Sequence, residues 1–395
     1  MKTFIANDIY WIGAVDWAIR DFHGYDTERG STYNAYLIRD EQPTVIDTVK
    51  AHFSDLFLKN IEALIPLDQV RWLICNHAEP DHASALPAVM AALPNATLVC
   101  TEKCRKTLAS YYDMQTWKLH IIKPKDTLNI GARTLGFIQT PLAHWPESMF
   151  TWSAADKVLF SMDAFGQHYA TSERFDDEAD LCRTLEEAKA YYANILLPYG
   201  TPVSRAMAAA AQLDIAMIAP SHGLIWRSHI PEILEAYKRW AGGMVQPKVL
   251  ILYDSMWHST EQIAWAIYDG ALEGGAQAQL LHVRKSTLTQ IATESLDAAA
   301  IAIGSPTLNN GPMPMAAAAL TYLKGLNPPC KAALAFGSYG WVKGGAEAAQ
   351  ECFEDLKWNI IREPLRAQYR PTPEILEECR AAGRLLAEKA IEAAG

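Results

Sequence analysis

Short apolar runs recur along the chain at lengths that fit strands, and amphipathic stretches lie between them. In residues 1–243 the runs are Tyr36–Ile38, Thr44–Ile46, Trp72–Cys75, Thr97–Cys100, His120–Ile122, Leu135–Gln139, Met149–Trp152, Val158–Ser161 and Met217–Ala219. Helical periodicity marks Phe53–Leu64 and Ala83–Ala92. The mixture predicts two sheets covered by helices. A helix is expected over about Pro231–Trp240, and Gly242–Pro247 then reads as a domain boundary.

Past that boundary the pattern changes. Val249–Tyr253, Ala278–Val283, Ala299–Ile303 and Ala332–Phe336 are short buried-strand runs with helices between them, the first over Thr260–Leu272. The Ala-rich stretch Met315–Leu320 also reads as helix. Strand–helix alternation of this kind predicts a doubly wound parallel sheet. The expected domains are residues 1–243 and 248–395, with no internal repeat.

Composition narrows the class. Half of the 395 residues are hydrophobic and 20% are charged, which fits two or three folded domains and argues against disorder. Lys plus Arg is 35 against 45 Asp plus Glu, a net charge of −10, and no basic run appears, so a nucleic-acid partner is not expected. The N-terminus lacks the pattern of a secretory signal, and no apolar stretch reaches about 18 residues, so no membrane span is expected. Seven cysteines are scattered, odd in number and never spaced CxxC. That argues against a disulfide framework and a four-cysteine metal knuckle, and for a cytoplasmic protein.

The densest chemistry is Asn76-His77-Ala78-Glu79-Pro80-Asp81-His82, directly after the run Trp72–Cys75. Four potential ligands in the pattern HxExDH, just past a strand end, converge on one point. Three more stand at the ends of later apolar runs: His144, Asp163 and His222. Two cations need more ligands than one loop supplies, and a carboxylate at a strand end is well placed to bridge them.

The order of these residues resembles the metallo-β-lactamase fold, a sandwich of two mixed sheets flanked by helices, whose usual pattern is HxHxDH followed by His, Asp and His. Here Glu79 replaces the second His. The resulting four imidazoles and three carboxylates suit iron in two oxidation states. That replacement is the hallmark of the flavodiiron proteins (A-type flavoproteins), which this chain resembles. The likeness extends to Asp21-Phe22-His23-Gly24-Tyr25, Gly30–Leu37, His144-Trp145-Pro146-Glu147-Ser148-Met149, Asp163–His168 and Tyr191-Tyr192-Ala193-Asn194-Ile195. The resemblance implies one iron held by His77, Glu79 and His144, and a second held by Asp81 and His222. His82 is either a further ligand or left uncoordinated, as in some members. Asp163 would bridge, and His23 and Tyr192 would be pocket residues near the substrate. His52, His120, His168 and His229 read as ordinary structural or surface residues.

The second half carries a different constellation. Ser255-Met256-Trp257-His258-Ser259-Thr260 follows a strand run and opens a helix. Hydroxyls and unpaired N–H groups at a helix N-terminus make an anion site. Without a lysine, the loop suits a phosphate monoester held without a metal, and the P-loop pattern is absent. Gly304–Gly311 and Phe336–Trp341 follow later strands, and such loops meet over the topological switch point of a doubly wound sheet. Together they resemble a flavodoxin domain binding FMN. The phosphate would lie on Ser255–Thr260 and the isoalloxazine between Pro306, Thr307, Leu308, Asn309 and Gly337, Ser338, Tyr339, Gly340, Trp341. One departure is that Val342-Lys343 precedes Gly344-Gly345, where the family has a short Ser-Gly or Gly-Gly step. Lys343 would either sit at the flavin edge and raise its potential or face solvent.

The resemblance implies an oxidoreductase that reduces dioxygen to water, nitric oxide to nitrous oxide, or both. Two ferrous ions and one reduced FMN together hold the four electrons that dioxygen requires. Domain radii of roughly 15–20 Å could leave a flavin and a metal pair too far apart within one chain for fast electron transfer, and the resemblance to flavodiiron proteins implies a head-to-tail homodimer that places one chain's FMN beside the other's irons. A separate rubredoxin-type donor is implied. Two alternatives stand beside this reading. One is a zinc hydrolase of the metallo-β-lactamase superfamily with an attached flavodoxin domain, against which Glu79 argues. The other is a non-enzymatic FMN electron carrier, against which the intact ligand set argues.

Overall fold

The computed structural model describes residues 3–329 and 331–395, so Cys330 lies outside the described residues. The chain divides into two compact units, Met1–Tyr191 with Tyr199–Lys238, and Tyr192–Pro198 with Arg239–Gly395. The boundary expected at Gly242–Pro247 follows the helix Ile230–Ala241, whereas contacts divide the chain inside that helix.

In the first unit a seven-stranded sheet runs in the order Thr3–Ala6, Ile9–Trp11, Tyr36–Ile38, Thr44–Ile46, Trp72–Ile74, Thr97–Thr101, Lys118–Ile122. Its first four strands are antiparallel and the rest pair in parallel. A five-stranded sheet faces it: Thr127–Asn129, Thr134–Gln139, Met149–Ser153, Val158–Met162, Met217–Pro220. Adjacent residues on a strand point to opposite faces, and that rule sorts the core. Ile46, Ile74 and Val99 point inward to Phe137, Val158 and Phe160 of the other sheet. Their neighbours Val45, Leu73 and Leu98 point outward, under Phe57, Ile61, Leu86 and Leu108 of the covering helices.

The second unit is a single parallel sheet. Its path runs Gln277–His282, Gln246–Tyr253, Ala298–Gly304, Ala332–Tyr339, Asn359–Ile360, and Leu365–Gln368 also pairs with Ala332–Tyr339. This is the 2-1-3-4-5 order of a flavodoxin-like doubly wound sheet. Val249, Ile251 and Tyr253 face the helices Ser259–Glu273 and Pro373–Ala394, while Leu250 and Leu252 face those at Leu288–Asp297, Pro314–Leu326 and Gly345–Asp355. The helices Ser259–Glu273 and Pro373–Ala394 touch backbone to backbone. A Cβ on Gly270 would stand 1.9 Å from the Arg380 carbonyl, and one on Gly383 2.1 Å from that of Ile267.

Several sequence-derived elements differ in detail. The expected helix Ala83–Ala92 is two helices, Pro80–Ala83 and Leu86–Ala92, and Phe53–Leu64 shortens to Ser54–Glu62. The helix Leu181–Tyr191 and the long C-terminal helix were not anticipated. Among the described residues no helix is long and apolar enough to cross a membrane.

Candidate active site

All seven candidate ligands meet at one end of the sandwich. The first sheet delivers His77, Glu79, Asp81 and His82 through the turn after Trp72–Ile74, and the short helix Pro80–Ala83 fixes the last two. The second sheet supplies His144 from the loop before Met149–Ser153, Asp163 from the end of Val158–Met162 and His222 just past Met217–Pro220. Those last two strands run parallel with Met162 opposite Pro220, which brings Asp163 and His222 side by side.

The side chains form two groups, His77, Glu79, His144 and Asp163 in one, and Asp81, His82 and His222 in the other. In the first, Glu79 Oε2 lies 3.1 Å from Nε2 of both His77 and His144. Asp163 Oδ2 lies 3.3 and 3.0 Å from the same two nitrogens. In the second, Asp81 Oδ2 lies 3.1 Å from Nε2 of both His82 and His222. Asp163 Oδ1 lies 2.9 and 3.5 Å from those. One carboxylate therefore presents a separate oxygen to each group.

The spacing fits metal ions. Donor atoms about 3 Å apart match the edge of an octahedron whose bonds are about 2.1 Å long. Several of these atoms are close but not aimed at one another. Both Asp81 oxygens, Asp163 Oδ1, and Nε2 of His82 and His222 are buried without a hydrogen bond. Buried polar atoms without partners are costly, and cations at the two centres would satisfy all five at once.

Titration states follow from the same crowding. Burial alone would lower the His77 imidazole, but Asp163, Glu147 and Glu79 outweigh it and raise its pKa well above the usual value. His82 is likewise pushed up to about 9, burial opposing Asp81 and Asp163. Burial raises Glu79, Asp81 and Asp163, yet the imidazoles prevail and all three end below the ordinary carboxylate range. Without metal, protons on the imidazoles balance the carboxylates. Metal ions would replace those protons.

Outer partners fix two of the rings. His77 Nδ1 lies 2.9 Å from Glu147 Oε1, which also accepts the Ala78 N–H at 3.1 Å. His222 Nδ1 lies 2.6 Å from the Thr32 carbonyl. Such partners set the ring tautomer and orientation. Asp47 accepts hydrogen bonds from the Asn76 backbone N–H at 2.7 Å and side-chain amide at 2.8 Å, which braces the start of the ligand loop. The sequence pattern marks neither acid's role; Glu147 shares a loop with the candidate ligand His144, whereas Asp47 stands on a separate segment after Thr44–Ile46 and carries no local signal.

Of the two pocket residues expected from the resemblance, His23 places Nε2 3.0 Å from Glu79 Oε1. Tyr192 opens the π-helical turn Tyr192–Leu196 and packs its ring 5.4 Å from that of Trp240. Its neighbour Tyr191 is the tyrosine whose ring meets His168 and His222, at 4.9 and 5.9 Å. Consecutive helical residues point about 100° apart, so the pair Tyr191-Tyr192 faces two ways. His168, read as ordinary, is buried beside the ligands, 5.0 Å from the His222 ring and 2.8 Å from Ser31 Oγ. Burial and the neighbouring imidazoles lower its pKa well below the usual value.

A second concavity, of about 590 Å³, lies over the switch point of the second unit. Met256, Trp257, Ser259, Pro306, Thr307, Leu308, Asn309, Ser338, Tyr339, Gly340 and Trp341 line it, joined by Asn310, Val342 and Tyr369. Of the other expected residues, Thr260 Oγ1 lies 2.9 Å from Ser338 Oγ and ties the first loop to the third. Gly337 lies in the strand beneath, opposite Arg366. His258 precedes the helix and pairs with Glu261 at 2.6 Å. Ser255 Oγ is buried without a hydrogen bond, an open donor at the base of the loop. Lys343 Nζ lies 5.6 Å from the Tyr339 ring centroid. After Val342-Lys343 the chain closes onto the second loop through its glycines. A Cβ on Gly344 would stand 2.3 Å from the Asn310 carbonyl, and one on Gly345 2.5 Å from that of Ser305.

Fold and site define a two-domain redox protein, a carboxylate–histidine cluster on a β-lactamase-like sandwich followed by a flavodoxin domain. Comparisons agree with this division. The family described as "ODP family beta lactamase" matches residues 32–223, and "Flavodoxin" matches residues 251–383. A nitric oxide reductase of Moorella thermoacetica is 41% identical over 98% of both chains. The flavodiiron protein of Giardia intestinalis superposes with a TM-score of 0.97 at 41% identity, covering 100% of this chain and 98% of that one. Rubredoxin oxygen:oxidoreductase of Desulfovibrio gigas gives 0.97 at 35% identity, covering 100% and 99%. The chain belongs to the flavodiiron protein family and is an oxidoreductase.

Proposed function

We propose that this flavodiiron reductase takes electrons from a rubredoxin-type donor through FMN to two iron ions, where dioxygen is reduced to water, nitric oxide to nitrous oxide, or both. The observation that carries the reading is Asp163, which offers one oxygen to His77 and His144 and the other to His82 and His222. One iron would be held by His77, Glu79 and His144, the other by Asp81, His222 and His82. The His82 Nε2, which lies with Asp81 and Asp163, supports counting it as a ligand. Bound iron and FMN would supply the electrons and the open coordination positions.

The chain's own residues do the rest. Carboxylates and imidazoles set the charge of the cluster, and Glu147 and the Thr32 carbonyl hold two rings in place. His23, on Glu79, and Tyr191, against His222, are the groups that we assign to the substrate side, with Tyr192 retained only on family likeness. The flavin would lie in the 590 Å³ concavity with its phosphate on Ser255–Thr260.

We carry a cytoplasmic head-to-tail homodimer as part of this reading. Trp257 and Trp341, on the rim of the flavin pocket, are 82% and 86% exposed. Large apolar rings so placed fit a surface covered in the assembled protein.

Iron-replete protein should contain about two irons and one flavin per chain. It should consume dioxygen or nitric oxide anaerobically supplied with the same reduced rubredoxin, and the ratio of the two rates defines its preference. Purified protein with flavin but only trace iron, or with zinc and hydrolytic turnover, would overturn the proposal.

A further inference from the structure

Beneath the first loop of the second unit sits a buried charge that flavin recognition has so far left unused. Asp254 follows the strand Gln246–Tyr253 and has no exposed surface. Its Oδ1 accepts the Ser255 N–H at 2.7 Å. The same oxygen accepts Nε–H of Arg284 at 2.7 Å, while Arg284 Nη2 donates to the Ser255 carbonyl. Arg284 comes from elsewhere in the sheet, the turn Val283–Lys285 after the neighbouring strand Gln277–His282. One guanidinium thus bolts the loop base to the next strand through a side-chain oxygen and a main-chain oxygen.

The consequence is electrostatic. A phosphate monoester carries roughly −1.5 to −2 charges near neutrality. A buried carboxylate left unpaired under the loop would repel it in a medium that screens poorly. The other acid at this loop, Glu261, is already engaged by His258 at 2.6 Å and the Tyr253 hydroxyl at 3.0 Å. Asp254 has only Arg284 as a charged partner within ion-pair distance among the described residues. The guanidinium also donates to the Ser255 carbonyl, so that the negative end of that peptide is already engaged. Ser255 Oγ itself is buried and makes no hydrogen bond.

We propose that Arg284 is a positioning residue for the flavin phosphate: it cancels Asp254 and fixes the Ser255 main chain, so that the pocket favours the phosphorylated flavin over the unphosphorylated one. This rests on the FMN reading above. An Arg–Asp staple that served the fold alone would affect both flavins alike, because riboflavin shares the ring system and lacks only the phosphate.

Full-length flavin-depleted protein titrated with FMN and with riboflavin, followed by quenching of flavin fluorescence, separates the two. Arg284→Ala should weaken FMN about tenfold or more, the scale of a lost charged hydrogen bond, and leave riboflavin within about twofold. Adding Asp254→Asn should restore most of the FMN affinity, since no charge then remains to cancel. Arg284→Lys, which keeps the charge but not the fork, should fall between and serves if the alanine variant does not fold. An unchanged ratio of FMN to riboflavin affinity in both Arg284 variants, or failure of Asp254→Asn to restore FMN binding, overturns the proposal. Wild-type protein that binds neither flavin refutes the FMN reading itself.

Discussion

At the residue scale the cluster is governed by competition between protons and metal. Carboxylates hold the His77, His82 and His144 imidazoles protonated above their ordinary range, and His82 reaches about 9. A metal ligand must be neutral imidazole, so uptake releases protons. Metal affinity is therefore expected to climb as pH rises through about 9, where His82 gives up its proton, and to keep climbing for as long as the raised His77 ring holds its own. Metal titrations of chelator-treated protein in weak buffer, with a pH dye, measure the release directly. A site that takes up metal without releasing protons at pH 7 would show that the rings are already neutral. The same shifts fix the stability of the metal-free chain. A raised imidazole stabilises the fold fully below its unfolded value of about 6.5 and loses that contribution as pH rises through its folded value.

At the element scale, function depends on where strands end. Both candidate sites lie at strand C-termini: the carboxylate–histidine cluster past Trp72–Ile74, Val158–Met162 and Met217–Pro220, and the loops of the second concavity past Gln246–Tyr253, Ala298–Gly304 and Ala332–Tyr339. The helices behind the flavin loops must pack closely for those loops to meet. Gly383 admits the Ile267 carbonyl where a Cβ would stand 2.1 Å away. Gly383→Val is expected to cost about 1–3 kcal/mol through overpacking. The denaturant midpoint of the second unit should fall while the metal content of the first is unchanged. Unaltered stability would mean that the two helices separate at little cost.

At the scale of the whole molecule each of the two units has its own apolar core layers and its own candidate site among the described residues. A ligand that binds only the folded state stabilises the unit that holds it. Calorimetry should show two transitions. Chelation should lower the one belonging to the sandwich, and flavin removal the one belonging to the parallel sheet. A single transition that moves equally with either treatment would show that the units unfold as one.

Periodicity and spacing made much of this legible. The runs Thr44–Ile46, Trp72–Cys75 and Val158–Ser161 lie in strands because uninterrupted apolar residues, pointing alternately to the two faces, need both faces buried, and HxExDH pointed to a carboxylate–histidine cluster that the fold assembles. Less was visible where direction, rather than identity, decides. Tyr191 and Tyr192 are equivalent in sequence, and only the helix and its π-turn determine that Tyr191 meets His222. His168 looked ordinary because nothing in its neighbours reveals that Ser31 lies 2.8 Å away. Glu147 and Arg284 act on residues 70 and 30 positions distant, at His77 and Asp254. The sequence by itself determined the elements, the ligand types and their order, because these follow from local pattern and donor chemistry. The tertiary structure alone decided which oxygen of Asp163 faces which histidines, and which charge lies under the flavin loop, because those depend on contacts between segments that the linear chain keeps far apart.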